Sequence, residues 1–237
     1  MTILLHGFWG QPSDWNLVLH KLPLGLQVMT PDLYLNRELA PHFLMKDWSE
    51  NFWRRVDETV HEEKIELIGY SMGARLAVAA AVRCPDRVSR ALFVSGNPLR
   101  LTGEEAAARD LWEKNWLENF LKLDWSDLEK KWQELPIFNH APAAERRKTS
   151  AMRELLGLSL RRWSPREHSF SSDDVKMLPG RMEWAFGATD QKYVTVAKSL
   201  QELPVQGQIS LIPNAGHRLI TEAADFISHW IEKGSQT

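Results

Sequence analysis

At 237 residues the chain is long enough to bury a sizeable core without disulfides or metals, and one large α/β domain with an insertion is the expectation at this size. Its 29 basic and 31 acidic side chains leave a formal charge of −2 with no long block of like charge, which argues against a nucleic-acid groove or a polybasic membrane anchor. Cys84 is the one cysteine, so an internal disulfide framework is excluded and the residue reads as a buried structural thiol.

The chain opens on an apolar run, Thr2-Ile3-Leu4-Leu5, that reads as a strand and empties into the loop His6-Gly7-Phe8-Trp9-Gly10, where backbone N–H groups can point at a ligand. Gln11-Pro12-Ser13-Asp14-Trp15 follows, then a periodic helix through Leu17, Leu19 and Leu22. Val28-Met29-Thr30-Pro31-Asp32-Leu33 reads as the next strand end, and residues 47–61 are amphipathic with Trp48, Phe52, Val56 and Val60 on one side. The strand Ile65-Glu66-Leu67-Ile68 runs into Gly69-Tyr70-Ser71-Met72-Gly73 and then the Ala-rich helix that begins near Arg75. Residues 90–95 form a further short strand, closed by Gly96-Asn97-Pro98. This alternation predicts a mostly parallel sheet with helices on both faces.

Over about residues 99–168 the pattern becomes helical throughout, rich in charge and holding five of the 11 tryptophans, from Trp112 to Trp163, with no strand candidate. It reads as an inserted helical cap, with residues 1–98 and 169–237 as the core. Strand character returns in Met182-Glu183-Trp184-Ala185-Phe186, followed by Gly187-Ala188-Thr189-Asp190 and a helix over 193–203. Gln208-Ile209-Ser210-Leu211-Ile212 is the last strand, Pro213-Asn214-Ala215-Gly216-His217 its loop, and 221–231 a closing helix. No stretch approaches the roughly 18 apolar residues of a membrane span, and a cytoplasmic protein is expected, as a monomer or weak homo-oligomer.

The turn at Ser71 carries the chemistry. A serine between a strand and a helix in this pattern is held in a strained conformation that small neighbours tolerate, with its hydroxyl exposed at a helix N-terminus. Serine needs an adjacent imidazole, which needs a carboxylate to fix its tautomer, and both must come from loops at the carboxyl ends of strands. Asp190 and His217 fit both requirements, whereas the other acid position, after the strand ending at Ser95, holds the uncharged Asn97. The expected oxyanion hole is the backbone N–H of Met72 paired with that of Phe8. His6 reads as a brace for its loop, His20, His61 and His229 as solvent-facing, and His140 and His168 as parts of the cap. No histidines show metal-ligand spacing, and neither a metal nor a cofactor is expected.

Together with Asp14-Trp15, the cap pair Glu105 and Arg109, Trp132-Gln133 before Pro136-Ile137-Phe138, and Arg75 four residues after Ser71, these motifs resemble the menaquinone-pathway 2-succinyl-6-hydroxy-2,4-cyclohexadiene-1-carboxylate synthases of the α/β-hydrolase fold. The resemblance implies elimination of pyruvate from an open-chain enolpyruvyl intermediate, with the triad acting on a proton. It implies a small polycarboxylate substrate bound by Arg75, Arg109 and one of Arg146 or Arg147, Arg146 being preferred, with Tyr70 and Trp132 as pocket wall. The chain departs from the family at Asp32-Leu33-Tyr34-Leu35-Asn36, where a Pro-Gly-His-Gly-like turn is usual, at Leu160-Arg161-Arg162-Trp163-Ser164-Pro165, and at Arg218-Leu219-Ile220 after the histidine. A serine carboxylesterase or thioesterase acting on a small ester is the alternative from the same triad. A non-enzymatic binding protein on this scaffold is disfavoured by the retention of all three triad residues.

Overall fold

The computed structural model describes residues 1–138 and 144–234. Its strands are β1 (Thr2–Leu5), β2 (Val28–Met29), β3 (Ile65–Tyr70), β4 (Val88–Val94), β5 (Met182–Gly187) and β6 (Ile209–Ile212). They form one sheet in the order β2-β1-β3-β4-β5-β6, each pair parallel. The helices in chain order are α1 (Asn16–Leu19), α2 (Met45–Thr59), α3 (Met72–Arg83), α4 (Gly103–Lys122), α5 (Trp125–Gln133), α6 (Ser150–Arg162), α7 (Ser172–Lys176), α8 (Gln191–Glu202), α9 (Leu219–Glu222) and α10 (Ala224–Gly234). None of the described helices is long and apolar enough to cross a membrane.

Side chains alternate across the sheet, as strand geometry requires. Ile3, Leu5, Ile65 and Leu67 join Trp48 and Phe52 of α2 and the small residues of α3, while Leu4, Ile68 and Leu92 join Trp15, Leu219, Ile227 and Ile231 on the opposite face. Both faces are covered, so β3 and β4 read as near-continuous apolar runs. Helix α3 is buried from Met72 to Ala81, and its alanines let it lie close under α2, where Trp53 Nε1 donates to the Ala80 carbonyl at 2.9 Å. Among the described residues, no strand interrupts the chain between β4 and β5. The aromatic side chains of the helical segment between them, including Trp116, Phe120, Trp132 and Trp163, pack into the same continuous core as Ile3 and Leu5.

Several boundaries differ from expectation for local reasons. The helix through Leu22 is a 3-10 turn, Pro12–Trp15, followed by the short α1, because Pro23 biases Leu22 away from helical geometry. The second strand stops at Met29, since Pro31 has no N–H for a ladder and Asp32 Oδ1 instead accepts from the Tyr34 and Leu35 amides at 2.9 Å each. The closing helix is broken at Ala223 into α9 and α10. Helix α7, opened by a capping box between Ser171 and Asp174, was not expected. Cys84 is half-buried at the end of α3 rather than fully buried. His61 lies beyond α2 but is exposed, as are His20 and His229, while His140 falls outside the described residues.

Candidate active site

The turn between β3 and α3 holds Ser71 at φ 54°, ψ −108°, a conformation strained for a residue with a side chain. Two glycines make it possible. A Cβ on Gly69 would run into the Gly73 carbonyl, and one on Gly73 into the carbonyls of Leu5 and His6, so the turn can sit this close to β1 only without them. Ser71 N–H donates to the Val94 carbonyl at 2.8 Å, which fixes the turn against β4.

Ser71 Oγ lies 3.1 Å from His217 Nε2, and His217 Nδ1 lies 2.8 Å from Asp190 Oδ2. The carboxylate accepts a hydrogen bond from Nδ1–H, which leaves Nε2 to accept from the serine hydroxyl. Asp190 caps α8, its Oδ1 accepting from Tyr193 N–H at 3.3 Å. The histidine loop is fixed by Glu222 Oε2, which accepts from the Gly216 and Arg218 amides at 2.9 and 3.1 Å. Rings of Tyr193, Tyr70 and Phe138 surround the imidazole at centroid distances of 4.6, 5.7 and 6.1 Å.

The loop after β1 faces Ser71 from the other side. His6 is fully buried, its Nδ1 donating to the Gly7 carbonyl at 3.0 Å and its Nε2 accepting from Leu33 N–H at 3.0 Å, so it braces the loop as expected. Burial pushes its pKa below the ordinary histidine value, in keeping with a neutral ring that has one donor and one acceptor spoken for. Met72 N–H, in the first turn of α3, has no intrahelical acceptor, and Phe8 N–H meets no backbone carbonyl among the described residues.

Two lobes of a cleft meet at Ser71, His217, Phe8 and Trp132. The larger, about 880 Å³, takes Arg75, Arg109 and Lys192 into its wall; the smaller, about 440 Å³, takes Tyr70, Arg146 and Arg218. Arg75 is 8% exposed, and its Nη2 donates to the Trp163 carbonyl at 2.8 Å. Its Nε has no hydrogen-bond partner, and it meets no carboxylate among the described residues. Burial lowers its pKa to about 10, so it stays charged at neutral pH. Arg109 is held by the buried Glu113, whose Oε1 lies 2.6 Å from Arg109 Nε.

The sequence model of the Alpha/beta hydrolase family matches residues 2–229. The chain belongs to that family. It is 27% identical over 228 residues to the 2-succinyl-6-hydroxy-2,4-cyclohexadiene-1-carboxylate synthase of Klebsiella pneumoniae, spanning 91% of this chain and 85% of that one. The solved structure of MenH from S. aureus matches with a TM-score of 0.83 at 20% identity, covering 100% of this chain and 94% of the other. Carboxylesterase CesB from Bacillus subtilis matches with a TM-score of 0.69 at 16% identity, covering 97% and 81%. The resemblance read from the motifs therefore extends along most of the chain.

Within this family member the expected site residues divide. Ser71, Asp190, His217, Phe8, Met72, Arg75, Arg109 and Trp132 come together around the larger lobe, with Tyr70 on the smaller. Arg146 lines the smaller lobe, away from Arg75 and Arg109, and its Nη1 meets both oxygens of Asp14 at 3.1 and 2.9 Å. Arg147 instead pairs with Asp32 at 2.6 Å. Lys192 and Arg218 were missed as pocket cations, although each is a neighbour in sequence of a triad residue. Arg218 Nη2 donates to Gln133 Oε1 at 2.6 Å, and its guanidinium lies 4.4 Å over the Phe138 ring.

Proposed function

We propose that this alpha/beta hydrolase eliminates pyruvate from 2-succinyl-5-enolpyruvyl-6-hydroxy-3-cyclohexene-1-carboxylate to give 2-succinyl-6-hydroxy-2,4-cyclohexadiene-1-carboxylate, a lyase step of menaquinone biosynthesis. The observation that carries the reading is Arg75, a buried guanidinium one helical turn from Ser71 with no acidic partner among the described residues. Burying such a charge is costly unless a bound anion completes it, and a substrate carboxylate supplies that anion. Arg109 and Lys192 on the same lobe extend the match to a substrate with several carboxylates.

In this mechanism His217 accepts the Ser71 hydroxyl proton as Ser71 Oγ removes a carbon-bound proton, and Asp190 stabilises the imidazolium. The electron pair left on the substrate becomes an enolate whose oxygen is held by the Phe8 and Met72 N–H groups. Its collapse forms a ring C=C bond as the C–O bond to the enolpyruvyl group breaks, and the departing oxygen takes the proton back from His217 as pyruvate forms. Side chains and backbone supply every role, so the reaction runs without metal or cofactor. Residues of about 99–168 act as a cap over the site, and the protein works in the cytoplasm as a monomer or weak homo-oligomer.

The test is incubation of the purified protein with the enolpyruvyl intermediate, pyruvate being followed through a coupled dehydrogenase. No pyruvate release from protein whose Ser71 still reacts with a fluorophosphonate would sink the lyase reading. A carboxylesterase or thioesterase is the second reading, favoured by the 3.1 and 2.8 Å alignment of the triad, which also suits a covalent nucleophile. Fast turnover of a p-nitrophenyl ester without pyruvate release selects it.

A further inference from the structure

The Trp9 backbone sits at φ 53°, left-handed for a bulky residue, immediately after Phe8 in the loop that faces Ser71. Such a conformation persists where surrounding contacts over-determine it. Trp9 N–H donates to Tyr34 Oη at 3.0 Å. Tyr34 Oη lies 3.2 Å from Ser159 Oγ on α6, and Ser159 Oγ donates to the Leu156 carbonyl at 2.9 Å. The two ends fix the polarity between them: with the serine hydrogen committed to Leu156, Ser159 accepts from Tyr34, and Tyr34 accepts from Trp9. A one-way series of hydrogen bonds thus runs from the loop beside Ser71 to the helical insertion.

Every group in it is buried, Tyr34 at 2% exposure and Ser159 at 1%. Tyr34 is itself fixed from three directions. Its amide donates to Asp32 Oδ1 at 2.9 Å, its ring stacks on His6 with centroids 5.7 Å apart, and its hydroxyl reaches Met72 Sδ at 3.9 Å. Burial pushes the phenol up to about 12, so it remains a neutral donor and acceptor across the working pH range. One hydroxyl therefore touches the residue after Phe8 and the side chain of Met72, and so adjoins both residues whose N–H groups were assigned to the oxyanion hole.

We propose that Tyr34 is a positioning residue for the oxyanion hole, holding the Phe8 amide at its working distance from the Met72 amide and linking that geometry to α6 through Ser159. The proposal rests on the assignment of Phe8 and Met72, not on the identity of the substrate. Misplacing an oxyanion donor weakens the transition state more than it weakens substrate binding, so the signature is a loss of rate at constant KM.

The experiment measures phosphonylation of Ser71 by a fluorophosphonate, in which the serine oxygen gives its proton to His217 and bonds phosphorus, fluoride leaves and the phosphoryl oxygen occupies the hole. Tyr34→Phe keeps the ring and removes the hydroxyl; the expected result is labelling slower by about tenfold to a hundredfold, with a single cooperative melting transition. The same variant should lower kcat on a p-nitrophenyl ester and leave KM in place. Ser159→Ala breaks only the α6 end, and a fall of roughly threefold to tenfold is expected. Labelling of Tyr34→Phe at the wild-type rate, or a rise in KM with kcat unchanged, overturns the proposal. If Tyr34→Phe does not fold, wild-type labelling by Ser159→Ala overturns it alone. Because labelling needs no pathway intermediate, failure to release pyruvate would sink the lyase reading and leave this result standing.

Discussion

The backbone carbonyl of Trp163 accepts from Arg75 Nη2 at 2.8 Å and so anchors the guanidinium from the end of α6, leaving its other edge toward the larger lobe. Trp163 is itself fully buried, its Nε1 donating to the Phe43 carbonyl at 3.2 Å, so the anchor is a rigid one. With one carbonyl as its hydrogen-bond partner among the described residues, Arg75 is built to complete its shell with a ligand. Arg75→Ala should remove a charge-assisted bond worth about 1.5–3 kcal/mol, which is about tenfold to a hundredfold in kcat/KM for an anionic substrate. Arg75→Lys should recover part of this, because a point charge does not replace a bidentate fork. A neutral p-nitrophenyl ester should change little. Equal losses on both substrates would make Arg75 a structural residue of the seam between α3 and α6.

The distances between Ser71, His217 and Asp190 predict that the three act as a unit. Ser71→Ala, His217→Ala and Asp190→Asn should each lower turnover by about 10³-fold or more while folding is retained. Asp190→Asn is the most informative of these, since an amide of the same shape can still cap α8 but donates where Nδ1–H needs an acceptor. Wild-type-like turnover in any one variant removes that residue from the unit.

How the site could be read in advance differs between its parts. The turn at Ser71 was legible because the steric demand falls on consecutive residues, and the glycines that meet it stand at fixed offsets. Asp190 and His217 were legible because strand ends were, and the parallel order brings those ends to one edge. The side of the cleft that Arg146 faces was not legible, because its partner Asp14 lies in a distant segment and no local pattern links the two. Tyr34 was noticed only as a departure from the family's turn; its role depends on Trp9 and Ser159, 25 residues before it and 125 after it. Strand and helix existence followed from periodicity, whereas the end at Met29 was decided by Pro31.

Glu113 is 1% exposed and shares its carboxylate between Arg109, 2.6 Å from Oε1, and Arg166, 2.9 Å from Oε2. Glu113→Gln keeps the shape but points an amide donor at one guanidinium and withdraws the charge that offsets both. The arginines keep about a fifth of their surface in water, 19% and 21%, so the loss should be about 2 kcal/mol rather than the full cost of an isolated buried charge. A lower urea midpoint at unchanged slope would report it. With Arg109 released from Glu113, KM for a polycarboxylate should also rise. An unchanged midpoint would show that the two arginines are solvated well enough to stand without the acid.

His168 predicts how stability changes with acid. It is 5% exposed, stacked on Phe170 with centroids 4.6 Å apart, and neither ring nitrogen has a hydrogen-bond partner among the described residues. Burial, then the charges of Arg75 and Arg100, lower its pKa from 6.5 to about 3, against a weak opposing pull from the Pro98 carbonyl. In the unfolded chain the ring returns to its ordinary value. Between pH 6.5 and 3 the unfolded state therefore binds a proton that the folded state refuses, and stability falls as pH falls across that window. The slope from this one group is at most about 1.4 kcal/mol per pH unit. His168→Phe fills the same stacked position without a titrating nitrogen, so its urea midpoint should decline less steeply between pH 6.5 and 4.5 than that of the wild type, while the two decline in parallel above pH 7.5. Parallel decline through the acid window as well would mean that His168 is protonated in the folded protein, its N–H groups donating to a bound water.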